Sequence, residues 1–307
     1  LKESELVDGK CPNHPTMDPV EIEEENYFFR FSNYQDALPK YLEREDSIIP
    51  DWRRKEAIEF VKNGLEDFSI SREKERLSWG VPVPGDDSQV MYVWFDALTN
   101  YISTLGWPEG DFKKYWEEGE TLQVAGKDQV RFQSLIWQAM LLSADIKNTD
   151  QVFYHGFITS GGAKMSKSVG NVISPYELTD KYGTDATRYL LLRHVHPVDD
   201  SDITWEKLDE WYTANLVNGI GNLTARITKL AETHLESPIE TPELTPMPSE
   251  YTDAINNFKF NEALDHVWSL IGALDKRITD EEPFKVVKTD VEKGRELIAE
   301  YLEELYV

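Results

Sequence analysis

The chain has 307 residues, a single cysteine and a formal charge of -25, from 57 acidic against 32 basic side chains. One thiol excludes an internal disulfide and suits a reducing cytoplasm; with no signal peptide and no apolar run near ~18 residues, the sequence argues against a membrane role. A surface this acidic repels nucleic acid on average, so any RNA contact falls to local basic patches. The length is enough for a sizeable core and two or three domains. Leu1 is not an initiator methionine, and the sequence is expected to open within a longer protein.

Residues 1–30 are acidic and irregular, with Cys11 and His14 three apart among prolines. Such a pair can supply two of the four ligands of a zinc knuckle, but taken alone it more often belongs to a plain loop. Residues 31–88 read as helices, from the spacing of Tyr34, Leu38, Tyr41 and Leu42, then Ala57, Ile58, Val61 and Leu65. The apolar run Gln89–Asp96 predicts a strand, followed by a helix from Ala97. Thr121–Ala125 predicts a second strand ending at Gly126-Lys127-Asp128. A helix through Phe132, Leu135, Ile136 and Met140 leads to a third strand, Gln151–His155. This alternation predicts a parallel sheet with crossover helices. Ligands of such sheets sit beyond the strands' carboxyl ends, where Asp96, Gly126 and Asp128 are expected. Residues 172–213 read as helical. From 214 the pattern is helical throughout, apart from a Pro- and Thr-rich linker at 236–250. Phe258, Phe260, Ala263, Leu264, Val267, Leu270, Ile271 and Leu274 predict a long amphipathic face, and Leu297, Ile298, Tyr301, Leu302 and Leu305 a last one.

Chemistry concentrates in Gly161-Gly162-Ala163-Lys164-Met165-Ser166-Lys167-Ser168-Val169-Gly170-Asn171. Glycines permit turn conformations, and the two lysines can meet charge on a triphosphate. The Walker spacing is absent, and composition alone favours a solvated Gly/Lys/Ser turn. Val93, Trp94, Ala97, Leu98, Tyr101, Phe132 and Trp137 suit a pocket for a flexible thioether or, on the same periodicity, a buried aromatic cluster. Asn222 and Arg226, four apart, share a helix face.

Lys164–Ser168, framed by His155-Gly156-Phe157-Ile158, by Val169–Ile173 and by Tyr182–Tyr189, resembles the signature loop of class I aminoacyl-tRNA synthetases. The likeness is greatest to the methionyl-tRNA synthetases and runs along nearly the whole chain. It implies an α/β fold: the Rossmann-like parallel sheet of the catalytic domain's second half, followed by an all-α anticodon-binding bundle. The implied domains are 1–88, the connective region with half a zinc knuckle; 89–160, the nucleotide-binding half; 161–213, the signature loop and stem-contact region; and 214–307, the helical bundle. It implies ATP-dependent activation of L-methionine to methionyl-adenylate and transfer to tRNA(Met), with ATP and Mg2+ as substrate.

By the same resemblance Lys164 and Lys167 are catalytic. ATP contacts fall on Gly126, Asp128 and Lys164 to Ser168 (Met165, Ser166 and Lys167 between them). Methionine contacts fall on Val93, Trp94, Ala97, Leu98, Tyr101, Gln129, Phe132, Gln133 and Trp137, and anticodon contacts on Asn222, Arg226 and Phe284. The chain departs from the family's pattern at Leu98, where many relatives carry proline, and at Gln129, where they carry an aliphatic residue. Gln133 stands for a histidine and Phe284 for a tryptophan. Zinc at Cys11 and His14 needs two further ligands upstream. The second signature, His-Ile-Gly-His, is also absent from the sequence. The chain alone is therefore expected to be inactive, its sheet open at an edge and on a face, unless an upstream segment or second chain completes it. A non-catalytic tRNA-binding module, or a class I synthetase for another apolar amino acid, are the alternative readings.

Overall fold

The computed structural model describes residues 6–12, 16, 18–20, 23–166 and 170–306. The chain divides into two compact units, the first ending at Tyr154 and the second starting at His155. The first carries, in order, β1 (Phe28–Phe29), α1 (Leu38–Leu42), β2 (Ile48–Ile49), α2 (Asp51–Lys62), β3 (Phe68–Ser69), β4 (Ser71–Glu73), β5 (Pro82–Val83) and β6 (Asp86–Met91). There follow α3 (Val93–Leu98), α4 (Asn100–Ser103), β7 (Leu122–Gly126), α5 (Trp137–Ser143) and β8 (Gln151–His155).

Its central sheet has the order β2-β8-β7, with β2 parallel to β8 in the register Ile48 to Val152. Two expectations are corrected here. The strand expected at Gln89–Asp96 ends at Met91 and pairs antiparallel with β4 and β5, outside the central sheet. The third member of that sheet is instead Ile48–Ile49, inside the stretch read as helical. The reason is local. Tyr92 gives its N–H to the Ile70 carbonyl, and the N–H groups of Phe95 and Asp96 turn back to the Tyr92 carbonyl at 3.0 and 3.1 Å. Val93-Trp94-Phe95 therefore starts a helix, and Asp96 lies within it and not at a strand end. A short apolar run fits either state, and hydrogen bonds decide.

The core beneath this sheet joins Leu38, Leu42, Ile48, Ala57, Leu135 and Tyr154. Inside it Gln138 is fully buried. Its Nε2 donates to the Gln133 carbonyl at 3.0 Å and to Thr149 Oγ1 at 3.1 Å. Its Oε1 accepts from the Thr149 N–H and from Asn148 Nδ2, both at 3.0 Å. Residues Phe132–Ile136 wind as a wide π-helical turn, and the Gln138 amide satisfies a carbonyl of that turn. β7 is an outer strand of the sheet, and Leu122 and Val124 on one of its faces are exposed.

The second unit holds β9 (Ile158–Ser160), β10 (Ala163–Lys164), α6 (Pro175–Tyr182), α7 (Thr184–His194), β11 (Ser201–Asp202) and α8 (Trp205–Trp211). α9 (Asn222–His234), α10 (Ser249–Asn256), α11 (Phe260–Glu281), α12 (Pro283–Thr289) and α13 (Val291–Tyr306) complete it. Starts are encoded locally. Ser174 and Glu177 form a capping box ahead of Pro175, and Thr204 caps α8 by accepting from the Lys207 N–H. The bundle core unites Leu223 and Ile227 of α9, Leu274 and Ile278 of α11, and Leu297 and Tyr301 of α13. The face expected on α11 is only partly buried: Ala263 and Leu274 are inside, whereas Val267 and Leu270 are exposed. α12 and α13 cross closely, for a Cβ added at Gly294 would stand 2.4 Å from the Val287 Cα. Among the described residues no helix is long and apolar enough to cross a membrane.

Candidate functional site

In the first unit the helix turns of α3 and α4 and the π-helical turn at 132–136 bring the expected aromatic residues together. Trp94 stacks on Phe132 with ring centroids 4.8 Å apart, and Tyr101 meets Trp137 at 5.7 Å. Gln133 donates its Nε2 hydrogen to the Tyr101 hydroxyl. The Gln133 Oε1 and the Trp137 Nε1 are buried without a hydrogen-bond partner. Such orphans are rare in a core and mark places where a ligand or water completes the bonding. Val93, Trp94 and Ala97 are exposed, while Leu98 is buried in the core. At the end of β7, Gly126 opens a single turn, Lys127–Gln129, in which the exposed Asp128 accepts from Gln129 Nε2 at 3.1 Å. Aromatic faces, a buried amide and a carboxylate at a strand end are thus available in one unit.

In the second unit β9 and β10 form a hairpin whose turn, Gly161-Gly162, runs at φ of 63° and 75°. Only glycine adopts that pair without strain. The Gly162 N–H donates to Asp202 Oδ1 at 2.7 Å, and Thr159 Oγ1 donates to the same oxygen at 3.0 Å. Lys207 Nζ holds Asp202 Oδ2 at 2.9 Å. These bonds, the one from Gly162 foremost, push the Asp202 carboxyl down to about 2. Beyond the turn, Asn171 ties the loop by its amide: Oδ1 accepts from the Ser166 N–H at 2.9 Å, and Nδ2 donates to the Lys164 carbonyl at 3.2 Å. Met165 packs on a small core of Ile173, Leu178, Leu190, Ile203 and Leu208. Lys164 is exposed, its ammonium 5.8 Å above the Phe157 ring. Lys167 and Ser168 lie outside the described residues. The anchors Asp202 and Lys207 escaped sequence reasoning; they stand some forty residues downstream with no local motif.

On α9 Asn222 and Arg226 fall where their spacing placed them. Arg226 lines a cavity of about 430 Å³ with Ala225, Lys229, Leu230, Ile278 and Phe284. Phe284, in the first turn of α12, is 42 % exposed. Asn222 lines a neighbouring cavity of about 280 Å³ with Asn215, Asn218, Trp268 and Asp275. The Arg226 guanidinium donates to Asp275 Oδ1 at 2.6 Å. Nearby, His194 stacks on Trp211 at 4.3 Å and shares a 2.9 Å hydrogen bond with Asn215 Oδ1. Burial holds its imidazole below the ordinary histidine value.

A third cavity, about 510 Å³ among Glu25, Tyr27, Glu73, Glu75 and Asp86, is lined by carboxylates and unsuited to phosphate. Cys11 forms no disulfide, and His14 lies outside the described residues. Among the described residues no group of three or more His, Cys, Asp or Glu is placed to hold a metal.

Residues 1–228 match the family model for tRNA synthetases class I (M). The methionine–tRNA ligase of Caldanaerobacter subterraneus subsp. tengcongensis is 40% identical over 310 residues, which cover 95% of this chain and 48% of that protein. The methionine–tRNA ligase of Fusobacterium nucleatum subsp. nucleatum is 39% identical over 302 residues, 94% of this chain and 47% of the relative. The chain therefore spans about half the length of the curated relatives it matches. Among solved structures it is similar to Mycobacterium tuberculosis methionyl-tRNA synthetase bound by methionyl-adenylate. The TM-score is 0.81 at 34% identity, over 94% of this chain and 60% of the other.

Proposed function

Because the chain belongs to the class I tRNA synthetases (M), we propose that it is part of a methionine–tRNA ligase. It supplies the signature-loop half of the catalytic site and the anticodon-binding bundle. The enzyme activates L-methionine with ATP and Mg2+ to methionyl-adenylate, passes the methionyl group to tRNA(Met), and works in the cytoplasm. The observation that carries this reading is the β9–β10 hairpin turning at Gly161-Gly162, which carries Lys164 and is anchored through Asp202 and Asn171.

In the activation step a methionine carboxylate oxygen attacks the α-phosphorus, and pyrophosphate leaves. Lys164 binds the phosphates. Lys167 meets the charge that builds on the departing pyrophosphate, where a fixed cation lowers the barrier most. Gly126 and Asp128 hold the adenosine side. Trp94, Tyr101, Phe132 and Trp137 receive the thioether, with Val93, Ala97, Leu98, Gln129 and Gln133 around them. Asn222, Arg226 and Phe284 read the anticodon, the phenyl ring stacking on a base. An upstream segment or a second chain supplies the missing histidine signature, and a zinc knuckle at Cys11 and His14 is completed only in that longer protein. The four sequence ranges 1–88, 89–160, 161–213 and 214–307 are the corresponding domains.

The test joins the chain to the upstream half and measures methionine-dependent ATP–pyrophosphate exchange. Exchange is expected with methionine and absent with the chain alone. Lys167→Ala should lower its rate by roughly a hundredfold with the methionine KM nearly unchanged. Exchange with leucine or cysteine in place of methionine would transfer the chain to another class I specificity. No exchange with any amino acid would leave only a tRNA-binding role.

A further inference from the structure

The groove beside Phe284 is flanked by three cations, and each already holds a carboxylate of this chain. Lys229 pairs with Glu232 at 2.7 Å, and Lys285 with Glu282 at 2.6 Å. Both are neighbours three residues apart on exposed surface, and such pairs open readily. Arg226 differs. Its partner Asp275 comes from another helix, α11, and meets it at 2.6 Å with both side chains only partly exposed. Leu274, the residue before Asp275, is buried in the bundle core, so the carboxylate rests on a rigid element. Asp275 also lines the smaller cavity beside Asn222, and through its ion pair it reaches Arg226 in the wall of the larger one.

We propose that Asp275 is a built-in counter-ion. It occupies Arg226 in the free protein and must be displaced before Arg226 takes a phosphate or a base carbonyl of tRNA, which sets a threshold on nucleic-acid binding. The inference rests on the reading of α9 and α12 as the anticodon surface. A ligand that takes Arg226 breaks a charge-assisted hydrogen bond and leaves a bare carboxylate beside an incoming polyanion. Only a ligand that also stacks on Phe284 and bonds Asn222 in the same event offsets that loss. On a chain with 57 acidic residues, an arginine so guarded presents no free charge to unrelated polyanions, and release is confined to the matched ligand.

The experiment titrates the 307-residue chain with a fluorescent tRNA(Met) transcript at low salt. It compares wild type with Asp275→Asn, Arg226→Met and the double variant, with thermal melts to verify folding. Asp275→Asn should bind roughly three- to tenfold tighter, an amount set by one partly exposed ion pair and its repulsion of phosphate. The gain should shrink as salt is raised. Arg226→Met should weaken binding, and adding Asp275→Asn to it should return clearly less than the gain seen with Arg226 in place. If Arg226→Met weakens binding but Asp275→Asn does not tighten it, the counter-ion inference is overturned and the anticodon surface stands. If the double variant keeps the full gain, Asp275 repels tRNA directly and the inference is again overturned. Binding indifferent to Arg226→Met, or absent altogether, overturns the surface assignment and the inference with it.

Discussion

At the scale of single residues, the groups that matter are those whose bonds leave one choice open. His194 lies flat against Trp211 and is bonded to Asn215, and burial disfavours its charged form. Its folded-state pKa is therefore depressed below the ordinary 6.5. Neutral His194 contributes stability that is fully present above 6.5 and is lost as pH falls through the folded value. An NMR titration of its ring protons should give a midpoint below 6.5, and Trp211 fluorescence should change over the same range. A midpoint above 6.5 would place an unseen carboxylate beside the ring. Which residues the sequence disclosed follows from how near their partners lie. Lys164, Ser166 and Asn171 stand in one run, and the loop could be read from it. Asp202 answers Gly162 across forty positions, and Asp275 answers Arg226 across forty-nine. No periodicity links such pairs, because only the fold makes them neighbours.

Elements were legible where a terminus was written in the chain. The capping box at Ser174, Pro175 at the first helical position and Pro283 at the start of α12 are sequence features with one structural meaning. The run Gln89–Asp96 carried no such marker, and β6 stops at Met91, the third residue of that run. Ile48–Ile49 was too short to register as a strand, although the parallel pairing depends on it. Gln138 shows how an element is held from inside. Its amide serves a π-helical carbonyl of the segment before α5 and the backbone that leads into β8. Gln138→Leu keeps the volume but strands several buried donors and acceptors, so it should cost about 2–4 kcal/mol of stability. Denaturant unfolding measures this directly. A loss under about 0.5 kcal/mol would mean that water or a shifted Thr149 replaces the network.

For the molecule as a whole, the segment from 235 to 248 is the long stretch without helix or strand in the second unit, and most of it is exposed. A protease should cut there first. The two fragments should still elute together under native conditions, because α9 keeps Leu223 and Ile227 buried against α11 and α13. Separate elution would show that the connection itself holds the bundle. The chain passes from one unit to the other between Tyr154 and His155, whereas the apolar pattern turns purely helical only from 214, because β9, β10 and β11 are too short to mark the boundary. Leu122 and Val124 are exposed on β7, which among the described residues is an outer strand with a neighbour on one side alone.

The close crossing at Gly294 has an effect away from itself. There the main chain of α13 rests directly on Val287, and α12 is the short helix that carries Phe284 one turn earlier. Even a methyl group at 294 would wedge the two helices apart and swing the phenyl ring relative to α9. A position with no side chain, remote from any nucleotide, thus sets the pitch at which an aromatic plate is offered to its base.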